Sequence, residues 1–217
     1  VKARKRRRGT LQYRGNHPAT AKGGTMKRNT FILLALGMAT LLFAARADEY
    51  EDTTVTKTGE KAPDFSCETI DGEKFALKDY AGKVVFINFF ATWCGPCLSE
   101  LPHLEKEVHD AFKGNEDFKL IVIGREHTAE ELKAFRMEKS LDLPFAPDPD
   151  RAIYSLYATK FIPRNIIIGR DGVVKYAEAG FSEDKLKEQV TIIQAELALK
   201  VVDPAPVPLE TLEKETP

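Results

Sequence analysis

The chain has 217 residues, 43 % of them apolar, enough for a packed core and too many for a disordered polymer. Its 32 Lys and Arg nearly balance 33 Asp and Glu, but residues 1–47 hold eleven of the bases and none of the acids, which leaves 21 bases against 33 acids, a charge of −12, on the other 170 residues. So acidic a body excludes the clustered cationic surface that phosphate contacts need, so no nucleic-acid partner is expected, and three cysteines in this length exclude a disulfide-stapled miniprotein.

The basic leader divides at Met26. Lys27 and Arg28 precede the uncharged stretch 31–45, Ala45-Arg46-Ala47 follows, and the acidic segment 48–52 begins abruptly. A basic start, an apolar run and a small-x-small site describe a secretory signal peptide over 26–47, cut near Ala47. The run is short for a bilayer span, which takes roughly 20 residues; an uncleaved N-terminal membrane anchor is the alternative. Translation is expected to start at Met26, with residues 1–25 an upstream extension, since Lys22-Gly23-Gly24 is what a purine-rich ribosome-binding site encodes. A periplasmic or otherwise extracytoplasmic location follows from this reading.

Residues 48–58 are polar and expected to be flexible, and a domain is expected over 59–200. Within it, 62–70 and 73–77 flank Asp71-Gly72 and read as a β-hairpin. Residues 84–91 are almost wholly apolar, as in a strand buried on both faces. Apolar residues then recur at helical spacing over 96–112 (Leu101, Leu104, Val108, Phe112). A second buried strand is expected over 118–124, and a helix over 128–140 opened by the capping pattern Thr128-x-x-Glu131. Residues 143–150, with Pro144, Pro147 and Pro149, read as a loop leading to a short helix over 151–157. A hairpin of 165–169 and 173–178 and an amphipathic helix over 182–200 complete the domain, and 201–217, with four prolines, reads as a flexible tail. Strands and helices alternating in this way imply an α/β fold, a mixed central sheet with helices on both faces.

Where the first buried strand gives way to a helix stands Trp93-Cys94-Gly95-Pro96-Cys97. Cys94 falls at the helix N-terminus, where unpaired backbone N–H groups and the helix dipole favour a thiolate. Cys97 comes three residues later, on the same side, within reach of a disulfide, and Pro96 fits the first helical turn at no loss of a hydrogen bond. Two thiols so placed can move two electrons through a disulfide without a cofactor. A zinc knuckle would need four ligands; only three cysteines exist, and His103 and His109, six residues apart, fall on opposite helix faces. No metal is expected. Cys67 reads as a small buried hydrophobe.

The segment 89–97, Phe-Phe-Ala-Thr-Trp-Cys-Gly-Pro-Cys, resembles the active-site segment of the thioredoxin superfamily. Glu100-Leu101-Pro102 and the opening Gly59-x-x-Ala62-Pro63-Asp64-Phe65 resemble exported TlpA/ResA-type members. The resemblance spans about 59–200. It implies a thioredoxin-like fold and a thiol–disulfide oxidoreductase in which Cys94 attacks and Cys97 resolves. Trp93, Gly95, Pro96, Ile162 and Pro163 would meet the substrate, with Ile162-Pro163 as the cis-proline loop. Asn88 stands where cytosolic thioredoxins carry a buried aspartate, and Glu100 stands where ResA-type proteins place a glutamate. Glu100 is therefore expected to handle the Cys97 proton, against the simpler reading of a solvated first-turn residue. Arg164-Asn165 replace the threonine common after that proline, so a differently shaped substrate groove is expected. The resemblance further implies a reductant of specific disulfide-containing proteins, as in cytochrome c maturation, with a membrane thiol reductase as electron donor, since no nicotinamide or flavin motif is present; a monomer is expected. Two alternatives stand beside it: a peroxiredoxin-like thiol peroxidase, which shares the Ala62-Pro63-Asp64-Phe65 opening, and a thioredoxin-like copper-delivery protein with His127 as third ligand.

Overall fold

A computed structural model describes residues 53–199; the expected extension, signal peptide and Pro-rich tail lie outside the described residues. The strands are β1 (Ser66–Glu68), β2 (Lys74–Ala76), β3 (Val84–Phe90), β4 (Phe118–Arg125), β5 (Phe145–Asp148), β6 (Arg164–Ile168) and β7 (Val174–Ala179). The helices are α1 (Gly95–Leu104), α2 (Ala129–Lys139), α3 (Tyr154–Tyr157) and α4 (Glu183–Ala198). β1 and β2 form the expected hairpin, while β3 lies at the centre of a five-stranded sheet of order β5-β4-β3-β6-β7. β4 and β5 run parallel to their neighbours, and β6 and β7 antiparallel.

Every residue of β3 is buried, which is why its sequence shows no polar alternation. Its side chains still sort by parity. Phe86 and Phe90 join the core beneath α1, α2 and α4 with Leu101, Leu132 and Ile193. Val85, Ile87 and Phe89 pack on the other face with Phe75, Tyr154 and Tyr157, beneath the hairpin and α3. The connections β3-α1-β4 and β4-α2-β5 are parallel crossovers of one hand, so both helices cover the same face. Among the described residues no helix is long and apolar enough to cross a membrane.

Three expectations need correction. The Pro-rich 143–150 segment contains a strand, β5, not only loop. It is an edge strand, bonded within the large sheet to β4 alone, with Pro147 opposite Gly124; an edge tolerates a residue that cannot donate. The helix after Cys94 reaches Phe112 but is not uniform: α1, which holds Pro102, passes into a π-type turn over Glu105–His109 and ends in Asp110–Phe112. The segment expected to be flexible up to residue 58 is, from Thr53 on, tied to the fold. Val55 N–H donates to the Tyr157 carbonyl at 2.9 Å, and the Thr56 hydroxyl donates to the Leu156 carbonyl at 2.7 Å.

At the end of the sheet opposite the cysteines, Arg170 joins four segments. Its guanidinium donates to Asp117 Oδ2 (2.9 Å), to the Gly82 carbonyl (2.8 Å), and to the Glu196 and Leu197 carbonyls (both 3.1 Å) at the C-terminus of α4. Cations stabilise that helix end and satisfy its free carbonyls. Arg170→Ala is expected to cost about 2 kcal/mol, read as a lower urea midpoint with little change in disulfide exchange.

Candidate active site

Ala91 follows the central strand, and the chain turns at once: Cys94 N–H donates back to the Ala91 carbonyl at 3.1 Å, with Thr92 and Trp93 between them. Cys94 is the N-cap of α1, and its Sγ accepts the Cys97 N–H at 3.3 Å. Pro96 lies in the first turn. A disulfide joins Cys94 to Cys97, with Cα atoms 5.3 Å apart. The two sulfurs differ in access: Cys94 is 6 % exposed and Cys97 fully buried. Only the first can meet another molecule.

The Ile162–Pro163 peptide is cis, and the Ile162 carbonyl oxygen lies 3.6 Å from Cys94 Sγ. Tyr154 Oη holds the preceding Phe161 carbonyl at 2.8 Å. Trp93 is 62 % exposed beside the cysteines. The Arg125 guanidinium, paired with Glu126 at 3.2 Å, stacks 5.4 Å from the Trp93 ring and 5.2 Å from that of Tyr154. A cation on an aromatic face holds the ring in place, so an indole surface stands ready at the rim.

Glu100 is not a solvated first-turn residue. It is 1 % exposed, one turn after Cys97 on the same helix face. Burial of a carboxylate costs free energy unless donors surround it, and two asparagines supply them. Asn88 Nδ2 donates to Oε2 at 2.9 Å and Asn165 Nδ2 to Oε1 at 2.5 Å. Asn88 also donates to Asn165 Oδ1 at 2.7 Å, across the β3–β6 ladder in which the two residues are direct partners. Burial nevertheless dominates and pushes the Glu100 carboxyl up to about 7, with the two amides and the Lys185 charge pulling the other way. A carboxyl titrating near 7 one helical turn from Cys97 can take up and release protons near neutral pH.

Sequence reasoning placed Asn88 at the position of a buried aspartate and Asn165 beside the substrate groove, and saw neither as a holder of Glu100. A signal existed: Asn88 is the one polar residue of β3, Asn165 stands beside three isoleucines in β6, and a buried polar residue must be hydrogen-bonded. Arg164 does not shape the groove by the cysteines. Strand alternation turns it to the opposite face, where its buried guanidinium donates to Thr54 Oγ1 (2.7 Å), Thr53 Oγ1 (3.1 Å) and the Lys160 carbonyl (3.2 Å). Cys67, on β1, packs against the core, and burial pushes its thiol up to about 12. His103 and His109 stand apart, near Glu107 (3.1 Å) and Asp142 (4.0 Å) respectively, and among the described residues no three His, Cys, Asp or Glu cluster as a metal site.

A family model described as the AhpC/TSA family matches residues 58–177. Thiol-disulfide oxidoreductase ResA of Bacillus cereus (strain ZK / E33L) is 30 % identical over 169 residues, covering 76 % of this chain and 95 % of that protein. Its namesake from Halalkalibacterium halodurans is 27 % identical over 165 residues, covering 76 % and 93 %. Among solved structures, a Bacteroides thetaiotaomicron protein provisionally described as a protein disulfide isomerase is 34 % identical, with a TM-score of 0.64 over 67 % of this chain and 92 % of that one.

Proposed function

The chain belongs to the AhpC/TSA family and is a thiol–disulfide oxidoreductase, and from this we propose that it reduces the disulfides of a narrow set of exported proteins, in a task of the cytochrome c maturation kind. The observation that supports this most is the asymmetry of the pair: a reachable Cys94 at a helix N-terminus, and a buried Cys97 one turn from a buried carboxyl. The reduced Cys94 thiolate attacks one sulfur of the substrate disulfide. A Cys94–substrate disulfide forms, the substrate bond breaks, and the departing thiolate takes a proton. Cys97, deprotonated through Glu100, then attacks Cys94 Sγ. The Cys94–Cys97 disulfide closes, and the second substrate sulfur leaves as a thiolate. Two electrons pass to the substrate, so a dithiol donor, proposed to be a membrane thiol reductase, must reduce the pair before each round. Trp93 and the Ile162–Pro163 loop flank Cys94 and form the surface that receives the substrate strand.

The leader's signal-peptide pattern supports action outside the cytoplasm. Expression of Cys97→Ser from the native leader, followed by non-reducing electrophoresis of the extracytoplasmic fraction, tests both parts. A small set of mixed disulfides on Cys94 that includes c-type cytochrome precursors is expected. A broad set would replace the narrow role with a general reductase, and hydroperoxide turnover without any trapped protein would replace it with the thiol-peroxidase alternative.

A further inference from the structure

His127, between β4 and α2, is 6 % exposed, and its two ring nitrogens face different elements. Nε2 accepts the Thr92 backbone N–H at 2.9 Å. Nδ1 faces Glu131 Oε2 at 3.7 Å. That carboxylate is fixed as part of the α2 capping box, accepting the Thr128 N–H at 2.8 Å and the Thr128 hydroxyl at 3.1 Å. On a third side the ring meets Phe90, centroids 6.3 Å apart, and the His127 backbone N–H donates to the Gly124 carbonyl at 3.2 Å. A ring nitrogen that accepts an N–H carries no proton, so the neutral imidazole has its proton on Nδ1, the side facing the carboxylate. The ring is therefore fixed in place and in tautomer.

What it holds is the turn that delivers the reactive sulfur. Thr92 and Trp93 are the central residues between Ala91 and Cys94, and the turn is closed by the Cys94 N–H to the Ala91 carbonyl. We propose that His127 is a positioning residue for disulfide exchange: through Nε2 it fixes the Thr92 peptide, and with it the line of attack of Cys94 and the stance of Trp93. The inference rests on Cys94 being the attacking thiol. A nucleophile displaced by a fraction of an ångström loses rate steeply, and a part-buried N–H deprived of its acceptor shifts toward another, water included.

Two substitutions in the full chain separate the acceptor from the bulk. Glutamine places an amide oxygen near the position of Nε2, whereas leucine fills the volume with no acceptor. His127→Leu is expected to lower kcat/KM for insulin-disulfide reduction about tenfold and to slow iodoacetamide capture of reduced Cys94. His127→Gln should stay within about threefold of wild type in both. In the unaltered protein, nitrogen NMR should show the His127 proton on Nδ1 and Nε2 bare. Equal rates for wild type and both variants, equal loss in both variants, or a proton on Nε2 would overturn the proposal. The tautomer is read on the ring itself, so its failure is separate from failure of the Cys94 assignment, which a turnover-competent Cys94→Ser would reveal.

Discussion

Cys94→Ser is expected to abolish disulfide exchange, by on the order of a thousandfold or more, because a hydroxyl at this helix N-terminus is neither ionised nor nucleophilic toward sulfur at neutral pH. Cys97→Ser should behave differently: the first attack survives and the mixed disulfide persists, since its resolving thiolate is gone. The difference follows from access, 6 % at Cys94 against none at Cys97. Brief iodoacetamide treatment of the reduced chain should therefore add a single label, at Cys94. Cys67 should react slowly, because burial holds its thiol near 12. Mass spectrometry of the labelled peptides, alongside insulin reduction by the three proteins, checks this. Full turnover by Cys94→Ser, or first labelling at Cys97, would reverse the roles of the pair.

The same physics explains what could be read in advance. β3 was legible because a strand buried on both faces has to be apolar throughout. α2 was legible because Thr128 and Glu131 cap it through local bonds that the sequence spells directly. β5 was hidden because its prolines mark a loop by local rules, and only its place at the sheet edge, set by β4, makes Pro147 acceptable. The cysteine pair is local and was plain. The pocket behind it is not: Glu100 is held by Asn165, 65 residues away, and Thr92 by His127, 35 residues away. Spacing along the chain cannot express such contacts. Asn88 and Asn165 announced only that something polar had to face them.

The pocket around Glu100 makes the second large effect one of pH. In the folded chain its carboxyl stands near 7, against an ordinary value of 4.5, with burial as the main cause. A raised acid pKa means the native state holds its proton more tightly than the unfolded state does. Between about 4.5 and 7 the native state therefore binds more protons, and stability falls as pH rises through that window. Near 1.4 kcal/mol per pH unit, the loss is on the order of 3 kcal/mol by pH 8. Urea unfolding of the oxidised chain at pH 5, 6, 7 and 8 isolates the effect from the cysteine pair, which does not titrate as a disulfide. Glu100→Gln should flatten the slope over that window. It should also lower stability by a pH-independent amount, because a glutamine offers one acceptor where Asn88 and Asn165 present two donors. The slopes, not the levels, carry the result, and parallel curves would place the Glu100 titration outside the window. Asn88→Asp sharpens the test, since it sets a second carboxyl 2.9 Å from the first. Like charges that close cannot both ionise, so one proton should stay on the pair above pH 7. In the reduced chain the one ionised carboxylate of the pair would then be a weaker base than Glu100 alone, and resolution of the mixed disulfide should slow at neutral pH and recover as pH is raised.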